Sequence, residues 1–171
     1  MALSPKDQLT RAQQFRRLHV GPGPFVMPNP WDGATARILT TLGFKALATT
    51  SAGVAFAHGQ PDGAGRLTLH DMLGNAHTIL GSTTLPLAAD LENLYAADSE
   101  EIAANIAKAA ESGLVGASIE DASPDVPGGI YPIDEATERV AAAVAAKNAL
   151  SFPFTLTARA ENFLRGRDDL D

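Results

Sequence analysis

The amino-acid sequence predicts an α/β fold in which buried parallel strands alternate with helices. Three short apolar runs, residues 85–92, 114–121 and 154–161, each end in charged side chains. Parallel strands are typically continuous apolar runs because both faces of the sheet are covered. The segments between these runs carry apolar residues at helical spacing. Charged residues gathered where such strands end are typical of the face on which α/β barrels place their active sites.

Helices are predicted where a capping residue precedes an amphipathic stretch. Ser4, followed by Pro5 and Asp7, begins a helix over residues 5–19, because it combines a cap, a proline at the first position and an early acid. Thr68 with Asp71 forms a capping-box pattern, and Asp98 with Glu101 forms another. The remaining helices are predicted over residues 34–42 and after Pro132.

The strands are predicted between these helices, over residues 25–27, 46–51, 86–90, 115–119 and 154–158. Two polar, glycine-rich loops, residues 52–66 and 121–131, separate strands from the helices that follow them. Loops as long as the first of these are usually functional or disordered. We therefore expect functional side chains on both loops.

An opening helix followed by about five βα units can close in two ways. It forms either the first five units of a (β/α)8 TIM barrel or a five-stranded doubly wound sheet. Residues 165–171 have the pattern of a loop and a helix cap with no helix after them, which would leave the last strand uncovered on one side. We interpret residues 1–171 as a single domain, the N-terminal part of an incomplete TIM-type barrel.

Composition and charge exclude several classes of protein. The net charge of −7 and the pI near 5.0 argue against a nucleic-acid surface, which needs clustered Lys and Arg. The absence of cysteine excludes disulfides, thiolate zinc sites and cysteine nucleophiles. No stretch approaches the roughly 18 apolar residues that span a bilayer. We expect a cytoplasmic protein that binds neither nucleic acid nor membrane.

Carboxylates at the ends of two neighbouring strands predict a metal site. Asp90 and Glu120 occupy equivalent strand ends, where paired strands lie about 4.8 Å apart. Converging carboxylates suit a hard cation such as Mg²⁺, and Asp62 on the first long loop could complete the set. The alternative is that each acid caps the following helix or faces solvent. Because the acids recur on successive strands, we favour the metal site.

Two further positions are candidates for binding an anion. Arg159 at the end of the last strand suits a bidentate clamp for a carboxylate or phosphate. Its alternative role, an ion pair with Glu120 or Glu161, is compatible with the first because such a pair can orient the guanidinium. Thr50 and Ser51 offer hydroxyls and backbone N–H groups at a strand end, an arrangement that can cradle an anion.

Six segments of the chain, taken in order, resemble the isocitrate lyase/phosphoenolpyruvate mutase superfamily. They are residues 29–34, 50–55, 59–62, 89–93, 116–121 and 157–161, and the match runs over roughly residues 10–171. The resemblance implies a (β/α)8 barrel with Mg²⁺ at the C-terminal ends of its strands. It also implies an enzyme that cleaves or forms C–C or P–C bonds of small α-keto or α-hydroxy carboxylates through an enolate.

The resemblance also implies roles for individual residues. Asp90 and Glu120 match acids of the metal site, and Asp62 matches one that acts through water. The turn that holds the substrate oxyanion matches residues 50–52, and Arg159 matches the arginine of the fifth strand. These roles agree with general chemistry, since Mg²⁺ stabilises negative charge on oxygen and an arginine neutralises a carboxylate.

Three departures from the family pattern narrow the expected reaction. Many members have a second acid where this chain has Ala88, although Glu92 could substitute for it. The lyase branch has a catalytic cysteine, and this chain has none; the mutase branch has a lysine where this chain has Ala122. Neither cysteine-dependent isocitrate or methylisocitrate cleavage nor phosphonate chemistry is therefore expected.

The sequence thus predicts a Mg²⁺-dependent, lyase-like enzyme that breaks a C–C bond or decarboxylates a small carboxylate through an enolate. The family has further strands, so we expect this chain to be part of a longer, homo-oligomeric parent and to have little activity by itself. The alternative is a non-catalytic, barrel-derived binding or oligomerisation module, which Ala88 and the missing cysteine favour.

Overall fold

A computed structural model describes residues 3–167. Its centre is a parallel four-stranded sheet with the strand order β1-β2-β3-β4. The strands are β1 (Leu47–Ala48), β2 (Leu87–Ala89), β3 (Gly116–Glu120) and β4 (Thr155–Arg159). The helices are α1 (Pro5–Val20), α2 (Gly33–Thr41), α3 (Ser51–Ala57), α4 (Leu69–Leu80), α5 (Ser99–Glu111) and α6 (Ile133–Asn148), with a 3₁₀ turn at Pro127–Gly129.

The strand order follows the chain without a reversal. A doubly wound sheet reverses its strand order at a switch point, and the sheet formed within residues 3–167 has none. Each strand instead pairs in parallel with the next one along the chain, as the strands of a (β/α)8 barrel do. The doubly wound alternative is therefore wrong for this part of the chain, and the predicted α/β fold with parallel strands is confirmed.

The helix starts that the sequence predicts are present. The Ser4 hydroxyl accepts a hydrogen bond from the Asp7 amide at the start of α1. Thr68 and Asp71 form the expected capping box on α4. Asp98 accepts from two amides at the start of α5. Each of these caps satisfies backbone donors that the first turn of a helix leaves without a partner.

Two sequence predictions for the first strands need correction. Residues 25–27 do not join the ladder; the chain there meets β1 through one backbone hydrogen bond, from the Ala48 amide to the Pro28 carbonyl, and through the Asn29 side chain, which donates to the Ala48 carbonyl. Prolines at positions 24, 28 and 30 explain this, since proline has no N–H to donate to a ladder. The predicted strand over residues 46–51 also ends early. Thr50 caps α3, and this helix occupies residues 52–57 of the expected loop 52–66.

The sheet has one face packed against helices and one face toward a cavity. Leu47, Leu87 and Ile119 face the main core, where they pack with α4 and α5 residues such as Ile79 and Ile106. Successive residues of a strand point to opposite faces, so Ala46 and Ala88 belong to a second, smaller cluster around Phe15 of α1. Val115, which precedes β3, also packs in this cluster. Small side chains on this second face leave room above Phe15 for a pocket.

Gly116 shows how closely the second face is packed at its base. A Cβ atom at this position would lie 2.7 Å from the Thr155 carbonyl oxygen and 3.0 Å from Phe15. Both distances are shorter than normal van der Waals contact, so only glycine fits between α1 and the neighbouring strand.

Within residues 3–167, no helix is long and apolar enough to cross a membrane.

Candidate active site

A cavity of about 520 Å³ opens at the C-terminal ends of the strands. All six residues that the sequence predicts as site residues line it: Thr50, Ser51, Asp62, Asp90, Glu120 and Arg159. Its floor includes Phe15, Ala48 and Ala88 from the second face of the sheet. The cavity therefore occupies the position that barrel active sites occupy relative to their strands.

Asp90, which follows β2, is held by donors from three neighbouring segments. Its Oδ2 accepts from the Ser51 amide and from the Ser51 hydroxyl, both at 3.0 Å. Its Oδ1 accepts from the Ser118 hydroxyl at 3.0 Å and from Arg159 Nη1 at 3.3 Å. The Asp90 amide donates to Thr49 Oγ1 at 3.0 Å. These contacts fix the orientation of the carboxylate toward the cavity.

Arg159 lies between three carboxylates. Its Nη1 is 2.7 Å from Glu120 Oε1 and 3.3 Å from Asp90 Oδ1, while its Nη2 is 2.7 Å from Glu161 Oε1. The parallel register of β3 and β4 pairs Glu120 directly with Arg159, which explains the first contact. The ion pairs with Glu120 and Glu161 that the sequence allowed are therefore both formed.

Burial changes the protonation of Glu120. Desolvation, followed by the negative charge of Asp90, raises its pKa to about 7, although Arg159 opposes the change. Desolvation penalises the charged form of a carboxyl group, and a second carboxylate nearby acts in the same direction. Ionising Glu120 beside Asp90 near neutral pH is therefore unfavourable in this cavity.

Thr50 and Asp62 line the cavity without joining this cluster. The Thr50 side chain accepts from the Gly53 amide at 3.3 Å and so caps α3. Asp62 is exposed on the loop after α3, and the structure records no hydrogen bond or ion pair between it and Asp90, Glu120 or Arg159. The Ser51 hydroxyl and amide both donate to Asp90 in this arrangement, so they bind the Asp90 carboxylate and not an anionic ligand.

Three residues that hold the site were not identified from the sequence. Thr49 and Ser118 contact Asp90 directly, and Tyr95 donates to Glu92 Oε1 at 2.9 Å. Ser118 had a usable signal, because it lies two residues before Glu120 and must share its face of β3. Thr49 had none, since its role depends on a contact with the end of another strand. Tyr95 had none either, since its contact with Glu92 depends on the left-handed backbone between them.

Glu92, which could substitute for the acid missing at Ala88, lies on a strained stretch of backbone. Glu92, Leu94 and Tyr95 have φ angles of 48°, 64° and 52°. Left-handed backbone costs roughly 1–2 kcal/mol for each residue with a side chain. Glu92 lines the cavity, and burial raises its pKa while the hydrogen bond from Tyr95 lowers it.

The donor chemistry of the cavity fits Mg²⁺, but the carboxylates are not gathered into a metal cluster. Asp62, Asp90, Glu92 and Glu120 line the same space, and oxygen donors of this kind suit Mg²⁺, which usually keeps several waters. No group of three or more acids or histidines among residues 3–167 has the arrangement of a metal centre. In this conformation the Arg159 guanidinium supplies the positive charge between Asp90 and Glu120.

The chain is similar in structure to several solved proteins and in sequence to several curated ones. The chain superposes on a candidate lyase/mutase from Burkholderia cenocepacia J2315 with a TM-score of 0.92 and 51% identity, covering 96% of this chain and 59% of that one. For oxaloacetate acetylhydrolase in complex with the product oxalate, the TM-score is 0.81 and the identity 34%, covering 91% and 55%. An uncharacterised Mycobacterium tuberculosis protein is 34% identical over 115 residues, covering 65% and 41%.

The chain thus spans less than two thirds of the length of these three proteins. Their similarity, together with the sequential parallel sheet, confirms the predicted partial TIM-type barrel. A family model described as phosphoenolpyruvate phosphomutase matches residues 15–171. The similar structures also include 2,3-dimethylmalate lyase, a member of the PEP mutase/isocitrate lyase superfamily. The chain therefore belongs to the phosphoenolpyruvate phosphomutase family of that superfamily.

Proposed function

We propose that the chain carries the strand-end part of the active site of a Mg²⁺-dependent lyase. The reaction is cleavage of a C–C bond, or decarboxylation, of a small α-keto or α-hydroxy carboxylate through an enolate. The superfamily consists of lyases and mutases that act on small carboxylates. The observation that carries the proposal is the convergence of Asp90, Glu120 and Arg159 in one cavity at the C-terminal strand ends.

Asp90 and Glu120 are the residues proposed to hold the metal, with Asp62 acting through a water molecule. Glu92 is a fourth oxygen donor on the same cavity wall. When bound, Mg²⁺ would supply Lewis-acid stabilisation of negative charge that develops on a substrate oxygen. The raised pKa of Glu120 supports this assignment, because a nearby dication favours the ionised form of an acid that burial otherwise disfavours.

Arg159 retains a donor for a substrate carboxylate. A guanidinium has five N–H donors, and those on Nη1 and Nη2 lie against Asp90, Glu120 and Glu161. The Nε–H group has no hydrogen-bond acceptor among residues 3–167 and is available to a substrate carboxylate. The ion pairs orient the guanidinium, so Arg159 is proposed as the carboxylate clamp. Thr50 is proposed for the oxyanion side of the site, together with Ser51, whose amide and hydroxyl donate to Asp90 in the structure.

Binding of oxalate with Mg²⁺ tests the proposal, because planar oxalate mimics an enolate of a keto acid. We expect oxalate plus Mg²⁺ to raise the melting temperature of the chain, and either component alone to raise it much less. Asp90→Asn and Glu120→Gln should abolish the increase. Glu135→Gln, an exposed change of the same kind on α6, should retain it. An equal increase in Asp90→Asn and in the wild type would refute the metal assignment.

A further inference from the structure

Six consecutive backbone carbonyls after β2 accept hydrogen bonds from outside their own segment. We call residues 92–97 the acid-bearing segment, because it begins with Glu92. The Glu92 carbonyl accepts from the Glu120 amide at 2.7 Å. The carbonyls of residues 94 and 95 accept from Asn105 Nδ2 at 2.9 and 3.3 Å. Those of residues 93, 96 and 97 accept from Arg139 at 2.9, 2.7 and 3.4 Å.

Arg139 is a buried arginine with no carboxylate partner among residues 3–167. It lies on α6 with 5% of its surface exposed, and no carboxylate among residues 3–167 pairs with it. Its guanidinium instead stacks 4.4 Å from the centre of the Tyr131 ring and donates only to carbonyls. A buried cation without a counter-charge is costly, so carbonyl dipoles and the aromatic face must offset that cost.

The acid-bearing segment needs such support because its own conformation is unfavourable. Three of its residues with side chains have left-handed φ angles, and chains adopt this backbone only where surrounding contacts enforce it. Lysine cannot replace Arg139 in this role, because a planar guanidinium can reach three carbonyls at once and an ammonium is a compact point charge.

The segment connects this buried support to the candidate active site. Glu92 lines the cavity, and its carboxylate accepts from Tyr95 of the same segment. Its carbonyl is bound by the amide of Glu120, the acid that contacts Arg159. A shift of the segment would therefore move the Glu92 carboxylate and disturb the end of β3.

We propose that Arg139 is a positioning residue: by binding three carbonyls of the acid-bearing segment, it fixes the Glu92 carboxylate in the cavity. The role of Glu92 in metal binding rests on the proposed function, but the placement of Glu92 by Arg139 does not. Arg139 has no part in the lining of the cavity and acts only through the segment.

Amide hydrogen exchange and carboxyl ¹³C NMR test the proposal on Arg139→Lys and Arg139→Gln, with Arg37→Gln as the control. Arg37 is an exposed arginine on α2, so this control makes the same chemical change away from the segment. In both Arg139 variants we expect exchange of the Leu94, Tyr95 and Glu120 amides to rise roughly tenfold or more. We also expect the Glu92 carboxyl resonance to shift. If Arg139→Gln does not fold, Arg139→Lys decides the matter, because it keeps the charge and most of the apolar stem.

Several results would overturn the proposal. One is exchange in Arg139→Lys that matches Arg37→Gln, since charge alone would then suffice. Another is faster exchange with an unmoved Glu92 carboxyl resonance, which would make Arg139 merely structural. Titration with Mg²⁺ separates this idea from the proposed function. If the wild type binds no Mg²⁺, the metal site fails while exchange and the Glu92 resonance still decide the role of Arg139. If the wild type binds, we expect roughly tenfold weaker binding in Arg139→Lys.

Discussion

Glu120 and Arg159 are register partners on β3 and β4, and their side chains meet at 2.7 Å where both strands end. The pair is not isolated, because the same guanidinium also contacts Asp90 and Glu161. Three acids around one arginine leave the cluster negative, and burial makes this charge expensive. The site is therefore set up to accept a further positive charge, which is the physical basis for placing a cation there.

The pH dependence of stability should reveal the burial of Glu120. Its pKa rises from 4.5 to about 7 on folding, so between these pH values the folded protein binds more protons than the unfolded chain. Stability linked to Glu120 therefore falls as the pH rises through this window. Glu120→Gln should flatten the fall in Tm between pH 5 and 7, and Glu135→Gln should leave it unchanged. An unaltered slope in Glu120→Gln would show that Glu120 is ionised throughout.

Much of this site follows from strand periodicity. Asp90 and Glu120 end apolar runs, and the parallel pairing of these runs brings their ends together. Ser118 could have been found by the same rule of alternation. The sequence allowed ion pairs of Arg159 with Glu120 and Glu161, but it did not predict that Asp90 would share the same guanidinium, because that depends on side-chain conformations across three strands.

Other features were beyond pattern analysis for identifiable reasons. The prolines around residues 25–27 outweighed the apolar character of this run, because a ladder needs N–H donors. Left-handed backbone at Leu94 has no sequence signal, since glycine is the usual marker of such positions. Arg139 had a weak sequence signal, because it lies on the buried side of α6 beside Ala143, where a charged residue is unexpected.

Ser118→Ala should destabilise the protein more than its small size suggests. The buried Ser118 hydroxyl donates to Asp90 Oδ1 and accepts from the Leu91 amide at 3.4 Å. Its removal leaves a partly buried carboxylate short of a donor, which costs about 1–3 kcal/mol. Chemical denaturation measures this loss, with the exposed Ser99→Ala as the matched control. Equal midpoints for the two variants would contradict a structural role for Ser118.

Arg165→Gln should weaken anion binding without a comparable loss of stability. Arg165 lines the cavity and is exposed, and no carboxylate among residues 3–167 forms an ion pair with it. It is thus a second cation available to an anionic ligand, beside the heavily engaged Arg159. We expect the Kd for oxalate with Mg²⁺ to increase roughly tenfold, as for loss of one charged hydrogen bond. Arg37→Gln is the control, and an unchanged Kd in Arg165→Gln would exclude Arg165 from the binding site.

Two glycine-to-alanine substitutions should change the stability of the protein in opposite directions. At Gly116, a Cβ would lie 2.7 Å from the Thr155 carbonyl oxygen and 3.0 Å from Phe15, so β3 or α1 must move. Overpacking of this kind costs about 1–3 kcal/mol. Gly74 lies inside α4, and a Cβ there would meet nothing within 4 Å. Alanine at Gly74 should therefore stabilise the helix by roughly 0.5–1 kcal/mol.

The difference in Tm between these two variants gives a direct measure of how tightly the base of the cavity is closed. Because Phe15 forms the floor of the cavity, Gly116→Ala should also reduce the affinity for oxalate with Mg²⁺, whereas Gly74→Ala should leave it unchanged. A Gly116→Ala variant as stable as the wild type would mean that α1 can move away from the strands. The position of Phe15 would then not define the depth of the cavity.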